Sequence, residues 1–246
     1  MTTASSRRSM KAPLRIAVAQ PITRLRDLAG NVAAHASTVV AAAARLVVFP
    51  ELSLTGYGYD APVVDPRSPA LLPLVDACGE AGTTALVGAP IRVGSGESSA
   101  RGIGVLEIDG EGVRPAYVKM HLGRKEATRF VPGRSPSTLS IDGWRVGIGV
   151  CTDTKDSSHL AQTAALGIDL YVAGHVRAPH EASKVTSRAA RIRDRYAVPV
   201  AFAGFAGETG GGYSTTLGGS AIWDVSGRLL ASCGSHPGDI AVAVLD

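Results

Sequence analysis

The sequence predicts an α/β protein in which two β-sheets pack face to face and helices cover their outer faces. Apolar segments of strand length alternate with longer segments of helical spacing through most of the 246 residues. In places one strand follows another directly, which indicates hairpins and therefore antiparallel pairs beside parallel ones. At least nine strands are predicted by this pattern, more than one twisted sheet usually holds. Two mixed sheets flanked by helices accommodate them.

The first half of the chain alternates strands and helices and then changes to a hairpin. The predicted elements are a strand at 15–20, a helix at 27–44, strands at 46–50 and 85–90 around a helix at 69–81, and strands at 102–108 and 113–119. The helix at 27–44 rests on Ala-rich helical spacing, and the strand at 46–50 is too apolar to have a solvated face. A Gly/Asp turn at 109–112 between two strand-like runs predicts the hairpin.

The second half returns to alternating strands and helices and ends with strands alone. The predicted elements are strands at 144–150, 170–173 and 198–204, helices at 158–166 and 181–196, and closing strands at 220–224 and 240–245. No Pro- or Ser-rich linker divides the chain, and no internal repeat is present. We therefore expect a single domain over residues 13–246, preceded by a disordered tail at 1–12, which is polar and lacks acidic residues.

Composition and charge exclude several classes of partner. Hydrophobic residues make up 45% of the chain and charged residues 19%, as in an ordinary globular protein with a substantial core. The formal net charge is +4, and Arg7, Arg8 and Lys11 of the tail carry three of those charges. The rest of the chain is thus nearly neutral, which argues against nucleic acid as a partner. No apolar run reaches membrane length, so we expect no membrane partner.

The cysteines indicate a reducing compartment. There are three, Cys78, Cys151 and Cys233, an odd number far apart in sequence, with no Cys-x-x-Cys pair. We therefore expect a cytoplasmic protein without a disulfide framework. The chain also lacks the His-Glu-x-x-His spacing, and His175 and His180 are five residues apart across a proline, so no metal site is expected.

Three chemically reactive side chains lie at the ends of predicted strands. Glu51 follows the run 46–50, Lys119 ends the second strand of the hairpin, and Cys151 follows the strand at 144–150. In layered α/β proteins the carboxyl ends of strands deliver catalytic groups into a common crevice. A thiol, a carboxylate and an ammonium group can serve as nucleophile, base and oxyanion stabiliser. This combination predicts an enzyme.

Each of the three residues also has a structural interpretation. A free cysteine in an apolar strand is most often a small buried hydrophobe, but polar residues follow Cys151 and place it at the strand end. Glu51 is equally consistent with a surface glutamate after a strand. Lys119 is also consistent with an edge-strand lysine that prevents aggregation. His159 and His175 remain less favoured candidates for the base, since neither lies at a comparable strand end.

Four segments together resemble the nitrilase superfamily of carbon–nitrogen hydrolases, on its amidase-like branch. They are VVFPELSLTGY (47–57), YVKMHLGRKEATRFVPG (117–133), VGIGVCTDTKD (146–156) and LGIDLYVAG (166–174). Their order, spacing and flanking residues agree with that family over most of the chain. The resemblance implies a four-layer αββα sandwich, a homodimer or higher homo-oligomer, and a small-molecule amide as substrate, with no cofactor.

The resemblance also assigns roles to individual residues. It implies that Cys151 is the nucleophile, Glu51 the general base and Lys119 the cation that stabilises the oxyanion. Glu126 matches a second glutamate that positions the substrate and the charges of the site, and the backbone N–H of Thr152 completes the oxyanion hole. The reaction implied is hydrolysis of a small amide or carbamoyl compound through a thioester. Outside this assignment, Tyr57, Tyr59 and Arg177 are possible substrate contacts.

Some features depart from the family pattern and leave alternatives open. Family members commonly carry an aromatic residue where this chain has Thr152, and an Asn expected within 200–204 is missing. The Gly-rich loop at 207–219 could hold a phosphate, but a strand is predicted after it, so we favour a pocket wall. A nitrilase, an amide acyltransferase and a catalytically silent scaffold protein remain alternatives to the amidase.

Overall fold

Twelve strands form two six-stranded mixed sheets in a computed structural model that describes residues 11–94, 96 and 99–246. The strands are β1 (Leu14–Ala19), β2 (Leu46–Val48), β3 (Thr84–Val93), β4 (Ala100–Asp109), β5 (Gly112–Val118), β6 (Thr138–Ile141), β7 (Trp144–Val150), β8 (Leu170–His175), β9 (Val200–Gly204), β10 (Ala221–Trp223), β11 (Leu229–Ser232) and β12 (Ile240–Leu245). The helices are α1 (Leu28–Ala42), α2 (Leu72–Ala81), α3 (Ser157–Ala165) and α4 (Ala182–Tyr196). The predicted mixture of parallel and antiparallel pairs is confirmed.

The two sheets have the same plan. One has the order β12-β1-β2-β3-β4-β5 and the other β11-β10-β9-β8-β7-β6. In each sheet the three central strands β1–β2–β3 or β7–β8–β9 are parallel, and the flanking strands pair antiparallel. The carboxyl ends of the parallel strands therefore lie together at one edge of each sheet.

Strand alternation divides the core into layers. In β1, Ile16 and Val18 belong to the apolar cluster between the sheets, whereas Ala17 and Ala19 belong to the cluster beneath α1 and α2. The second sheet follows the same rule, since Ile148 of β7 faces the first sheet and strands β8 to β10 contribute to a third cluster under α3 and α4. The predicted helix–sheet–sheet–helix sandwich is thus confirmed.

Local capping residues set where the helices begin and end. Asp27 caps α1, its Oδ1 accepting a hydrogen bond from the N–H of Gly30 at 2.9 Å. Gly82 ends α2 in the left-handed conformation, with φ of 60°. Asp156 caps α3, its side chain accepting from the N–H groups of Ser158 and His159. These ends agree with the predicted helices to within two residues.

Two strands were missed in the sequence, and both are edge strands. β6 and β11 form the two edges of the second sheet, and each has four residues. Only Ile141 in β6 is buried, and no residue of β11 is. Short strands that face solvent lack the apolar pattern by which strands are predicted.

The third strand is longer than predicted and passes through Pro90. β3 continues to Val93, because beyond Leu86 it pairs with β4 alone after β2 has ended. The missing N–H of Pro90 therefore costs no ladder bond on the β2 side. Its carbonyl accepts a hydrogen bond from the N–H of Val64 at 2.8 Å.

The tail predicted at 1–12 lies mostly outside the described residues, which begin at Lys11. Lys11 forms an ion pair with Asp169, and its Nζ lies 4.9 Å from the ring centroid of Trp144. The indole Nε1 of Trp144 donates to the carbonyl of Ala12 at 2.8 Å. Lys11 and Ala12 therefore contact the sandwich. None of the described helices is both long and apolar enough to span a membrane.

Two glycines hold the turn after β2 between the sheets. A Cβ on Gly88 of β3 would lie 2.4 Å from the carbonyl O of Pro50, and one on Gly174 of β8 would lie 2.7 Å from the N of Glu51. Each distance is far below van der Waals contact, so only glycine fits. The turn that carries Glu51 is thus packed tightly between one strand of each sheet.

We predict that Gly174→Ala lowers both stability and activity by displacing this turn. Overpacking at such a site costs roughly 1–3 kcal/mol, which chemical denaturation would measure. Gly234→Ala is the matched control, since a Cβ there meets its nearest atom at 3.4 Å and the residue is exposed. Equal stability of the two variants would contradict this tight packing around the Glu51 turn.

Candidate active site

The carboxyl ends of strands from both sheets place the three predicted reactive groups in one buried region. Glu51 follows β2 after two residues, Lys119 follows β5 directly and Cys151 follows β7 directly. Glu51 and Lys119 are each at most 1% exposed, and Cys151 is 6% exposed. The structure therefore excludes the alternatives of a surface glutamate and a solvent-facing edge-strand lysine.

Two carboxylates enclose the ammonium group of Lys119. Its Nζ donates to Glu51 Oε1 at 2.6 Å and to Glu126 Oε1 and Oε2 at 2.8 and 2.7 Å. Burial alone would lower the pKa of Lys119, but the negative charges of Glu51, of Cys151 in its ionised form, and of Glu126 outweigh burial and raise it. Lys119 is thus a permanent cation at neutral pH.

The two carboxylates have different environments. Burial raises the pKa of Glu51 to about 7, although Lys119 acts in the opposite direction. Burial also acts to raise the pKa of Glu126, but the charge and hydrogen bonds of Lys119 outweigh it, and the N–H of Gly123 adds a further bond at 2.7 Å. The pKa of Glu126 is therefore lowered. Glu126 is an anion, whereas Glu51 exchanges a proton near neutral pH.

One oxygen of Glu51 is available for a proton. Its Oε1 accepts from Lys119, whereas its Oε2 is buried and has no hydrogen-bond partner among the described residues. A buried, unpaired carboxylate oxygen is costly unless a reacting group meets it. Glu51 Oε2 is thus suited to accept a proton from a thiol or from water.

Cys151 lies at a strained position between strand and turn. Its φ is 44°, in the left-handed region that residues with a side chain seldom adopt. It begins a short 3-10 turn, Cys151–Lys155, and its Sγ is 3.9 Å from the carbonyl O of Val176. Burial and then the charge of Glu51 raise the pKa of Cys151 to about 11, so the group is a neutral thiol at neutral pH. Such a thiol needs a base to react.

The predicted oxyanion donor, the N–H of Thr152, lies at the start of this turn. The first N–H groups of any helical turn have no acceptor within it. Thr152 is the second residue of the turn that Cys151 begins. This position fits the predicted oxyanion role of its N–H group.

Asp153 is a site residue that the sequence analysis did not identify. Its Oδ2 accepts hydrogen bonds from the hydroxyl of Tyr117 at 2.8 Å and from the N–H of Val150 at 3.1 Å. Its Oδ1 accepts from the N–H of His121 at 2.9 Å. Asp153 therefore ties the turn of Cys151 to the segment that follows Lys119. Its position two residues after Cys151 was the only feature of the sequence that could have indicated a place in the site.

His121, Asp153 and His159 bring their ligand atoms within 4.8 Å of one another, a grouping that could hold a metal ion. This grouping was not predictable from sequence spacing, because His121 lies far along the chain from Asp153 and His159. Both oxygens of Asp153 already accept protein hydrogen bonds, and His159 Nδ1 lies 3.3 Å from the Tyr117 hydroxyl. This network fits the role of holding the turn better than that of binding an ion.

The two histidines considered as alternative bases, His159 and His175, lie in environments that suit this role less well. His159 lies among hydroxyl groups, with its Nε2 3.2 Å from the Tyr171 hydroxyl. His175 is buried at the end of β8, and neither ring nitrogen has a hydrogen-bond partner among the described residues. Burial lowers the pKa of both, to about 3 for His175. Glu51 has the better-matched pKa for a base at neutral pH.

Aromatic side chains line one side of the site. The hydroxyl of Tyr57 donates to Glu126 Oε1 at 2.8 Å, so Tyr57 positions this carboxylate directly. The rings of Tyr59 and Tyr213 meet Tyr57 edge to face, with centroids 5.3 and 5.7 Å away. Tyr213 belongs to the Gly-rich loop, which is followed by strand β10 as predicted and contacts Tyr57 through Gly211. The loop therefore adjoins the site as a wall.

Comparisons with known proteins identify the family. The family model for carbon–nitrogen hydrolases matches residues 15–246. "Hydrolase Rv0480c" of Mycobacterium tuberculosis is 32% identical over 259 residues, covering 95% of this chain and 89% of that protein.

The solved structures of an amidase are also similar. A cysteine-to-alanine variant of the nitrilase-superfamily amidase from Nesterenkonia AN1 superimposes with a TM-score of 0.79 at 26% identity, covering 94% of this chain and 90% of that one. The same variant in complex with butyramide gives the same TM-score and coverage at 25% identity. The chain therefore belongs to the carbon–nitrogen hydrolase family, as an amidase-like member of the nitrilase superfamily.

Proposed function

We propose that this enzyme hydrolyses the carbon–nitrogen bond of a small amide through a thioester on Cys151. The observation that carries the proposal is the buried Lys119 ammonium between two carboxylates, one of which has an oxygen without a hydrogen-bond partner among the described residues. Glu51 is the base, Lys119 the oxyanion stabiliser and Glu126 the anion that fixes Lys119. No step requires a cofactor.

In the first half of the reaction, Glu51 takes the proton of the Cys151 thiol while the sulfur attacks the amide carbon. The thiol pKa of about 11 and the Glu51 pKa of about 7 make this transfer unfavourable in the ground state. It becomes productive when coupled to attack, because the negative charge moves to the carbonyl oxygen. Lys119 and the N–H of Thr152 stabilise that oxyanion.

The tetrahedral intermediate then loses the amine. Protonated Glu51 gives its proton to the departing nitrogen, the carbon–nitrogen bond breaks, and a thioester remains on Cys151. In the second half, Glu51 takes a proton from water, whose oxygen attacks the thioester carbon. The carbon–sulfur bond breaks, the thiol regains its proton from Glu51, and the carboxylic acid is released.

The related structures support an amide as substrate. The Nesterenkonia amidase variant binds butyramide, and its fold superimposes over nine-tenths of this chain. The aromatic wall of Tyr57, Tyr59 and Tyr213 favours a small acyl group. A nitrilase and an acyltransferase would use the same three residues, and they are the alternatives that substrate tests address.

Three further expectations belong to this proposal. The family model matches one continuous region, which supports a single domain over 13–246. The three cysteines Cys78, Cys151 and Cys233 are all free, and a base-dependent thiol nucleophile requires a reducing environment, which supports a cytoplasmic location. A homodimer rests on the resemblance to the nitrilase superfamily alone, and sedimentation of the purified protein tests it.

The first prediction of the proposed mechanism is that butyramide is converted to ammonia and butyrate with an acyl group on Cys151. Rapid acid quenching followed by peptide mass analysis should find the acyl adduct on Cys151 and on neither Cys78 nor Cys233. Glu51→Gln should abolish ammonia release while the circular dichroism spectrum is unchanged. Cys233→Ala is the control and should retain full activity.

Other outcomes select the alternatives. Consumption of butyronitrile in preference to butyramide would establish a nitrilase, and butyrylhydroxamate formed with hydroxylamine at the expense of butyrate would establish acyl transfer. If no amide or nitrile is consumed, the carboxylate-bearing amides considered below included, and Cys151 carries no adduct, the catalytically silent scaffold is favoured.

The second prediction concerns pH. Glu51 must be ionised to accept a proton, so kcat/KM should fall about tenfold per pH unit below a midpoint near 7, the pKa of this residue. Above that midpoint the rate should stay level up to the thiol pKa of about 11. A midpoint near the ordinary glutamate value, with the protein folded throughout, would show that Glu51 is not the base.

The third prediction separates catalysis from stability at Lys119. Lys119→Met should lower kcat/KM by about 10²–10³-fold, and it should destabilise the protein by roughly 3–5 kcal/mol because two buried carboxylates lose their partner. Adding Glu126→Gln should recover part of the stability in denaturant titrations without recovering the rate. A double variant with the wild-type rate would contradict the oxyanion role.

A further inference from the structure

The pairing of β7 with β8 places Arg177 close to Cys151. β7 and β8 are neighbouring parallel strands in which Val150 pairs with Gly174, so the residues that follow them emerge side by side. The carbonyl O of Val176 is 3.9 Å from the Cys151 Sγ, and Arg177 is the next residue. Its own carbonyl accepts the N–H of Leu217 at 2.8 Å, which fixes the backbone against the Gly-rich loop.

The guanidinium group of Arg177 is largely buried and incompletely paired. The side chain is 13% exposed, and its only acidic neighbour within 4 Å among the described residues is Glu181, at 3.6 Å. Glu181 is shared, since Oε1 also pairs with Lys184 Nζ at 3.0 Å and Oε2 accepts the N–H of Ala178 at 3.2 Å. The planar fork of Arg177, with five N–H donors, therefore has capacity for another anion.

This positive charge acts on the reacting groups. Arg177 is among the causes that favour the ionised forms of Cys151 and Glu51, which places its guanidinium in the same electrostatic environment. Burial by itself would lower the pKa of Arg177, but the negative charges of Cys151 in its ionised form, of Glu181 and of Glu51 outweigh burial and raise the pKa. Arg188 adds a second, half-buried cation that also interacts with Cys151. The region beyond the thiol thus carries excess positive charge.

Activation of the thiol does not account for this arginine. The pKa of Cys151 is still raised, to about 11, in its presence, and Lys119 already supplies the cation of the oxyanion site. A residue that only balanced Glu181 would have no need of burial next to the nucleophile, since Lys184 already pairs with Glu181 from solvent.

We propose that Arg177 binds a carboxylate of the substrate, so that the preferred substrates are small amides that also carry a carboxylate group. This inference rests on the proposed amide hydrolysis at Cys151 and specifies its substrate class. A carboxylate and a guanidinium form two parallel charge-assisted hydrogen bonds, which fix both distance and orientation. The amide carbon is thereby held at a set distance from the thiol.

Two kinds of compound share this chemistry. The carboxylate lies on the acyl side in succinamate and glutaramate, and on the amine side in N-carbamoyl-β-alanine. Butyramide and valeramide are the neutral counterparts of the two acyl-side compounds, with a methyl group in place of the carboxylate. The ratio of kcat/KM for a charged amide to that for its neutral counterpart isolates the contribution of the carboxylate.

The test compares this ratio in four proteins: wild type, Arg177→Met, Arg177→Lys and the control Arg228→Met. Arg228 is 75% exposed and pairs with Asp224, away from the site. Wild type should favour the charged amides, and Arg177→Met should lower the ratio by about 10- to 100-fold. Arg177→Lys should be intermediate because it keeps the charge but loses the fork. Arg228→Met should leave the ratio unchanged.

The ratio distinguishes substrate binding from an effect on the thiol. Loss of a nearby cation would slow both amides equally, so an equal decrease with an unchanged ratio would overturn the proposal. A wild-type preference for the neutral amides would overturn it as well. Preference for N-carbamoyl-β-alanine over glutaramate would place the carboxylate on the amine side.

Binding to Cys151→Ala separates this inference from the proposed hydrolysis. Calorimetry should show that succinamate or glutaramate binds more tightly than its neutral counterpart, and that adding Arg177→Met removes the difference. If the charged amides bind in this way but wild type hydrolyses no amide, the carboxylate site stands and the proposed hydrolysis fails. If neutral amides are hydrolysed and charged ones neither bind nor react, the hydrolysis stands and the carboxylate site fails.

Discussion

The site depends on one constraint, the burial of a lysine ammonium group between two carboxylates. An ammonium group with no solvent exposure loses its proton unless anions surround it, and here Glu51 and Glu126 do so at 2.6 to 2.8 Å. To meet this requirement, the ends of β2 and β5 must converge with the turn that contains Glu126. The same requirement explains why residues 88 and 174 are glycines, because the turn that carries Glu51 must fit between the two sheets.

The same arrangement gives two similar carboxylates different roles. Glu126 receives two bonds from Lys119 together with bonds from Gly123 and Tyr57, which keep it ionised. Glu51 receives one hydrogen bond from the described residues, and its complete burial raises its pKa to about 7. Environments that separate the pKa values of two acids are the usual basis for dividing acid–base work between them. The number of hydrogen-bond donors at each carboxylate therefore helps to separate the pKa values of the two groups.

Most of the fold and the three reactive residues were predictable because both follow from strand periodicity. Apolar runs gave ten of the strands, and polar residues at their ends gave Glu51, Lys119 and Cys151. Contacts between distant segments were not predictable in this way. The hydrogen bonds of Asp153 to His121 and Tyr117 depend on how β5 and β7 approach across the sheets. The edge strands β6 and β11 have only one buried residue between them, Ile141, so they lack the pattern by which strands are predicted.

Chemistry and recognition come from different segments at the same edge of the sandwich. In the proposed mechanism the ends of β2, β5 and β7 supply the base, the cation and the nucleophile, whereas Arg177 follows β8 and Tyr213 lies in the loop before β10. Arg177 is one residue beyond the carbonyl that lies 3.9 Å from the thiol, so its distance from Cys151 is set by the pairing of β7 with β8. A group bound by Arg177 is thus held at a distance from the thiol that the sheet determines. The length of the chain between carboxylate and amide then becomes the property by which such a site selects its substrate.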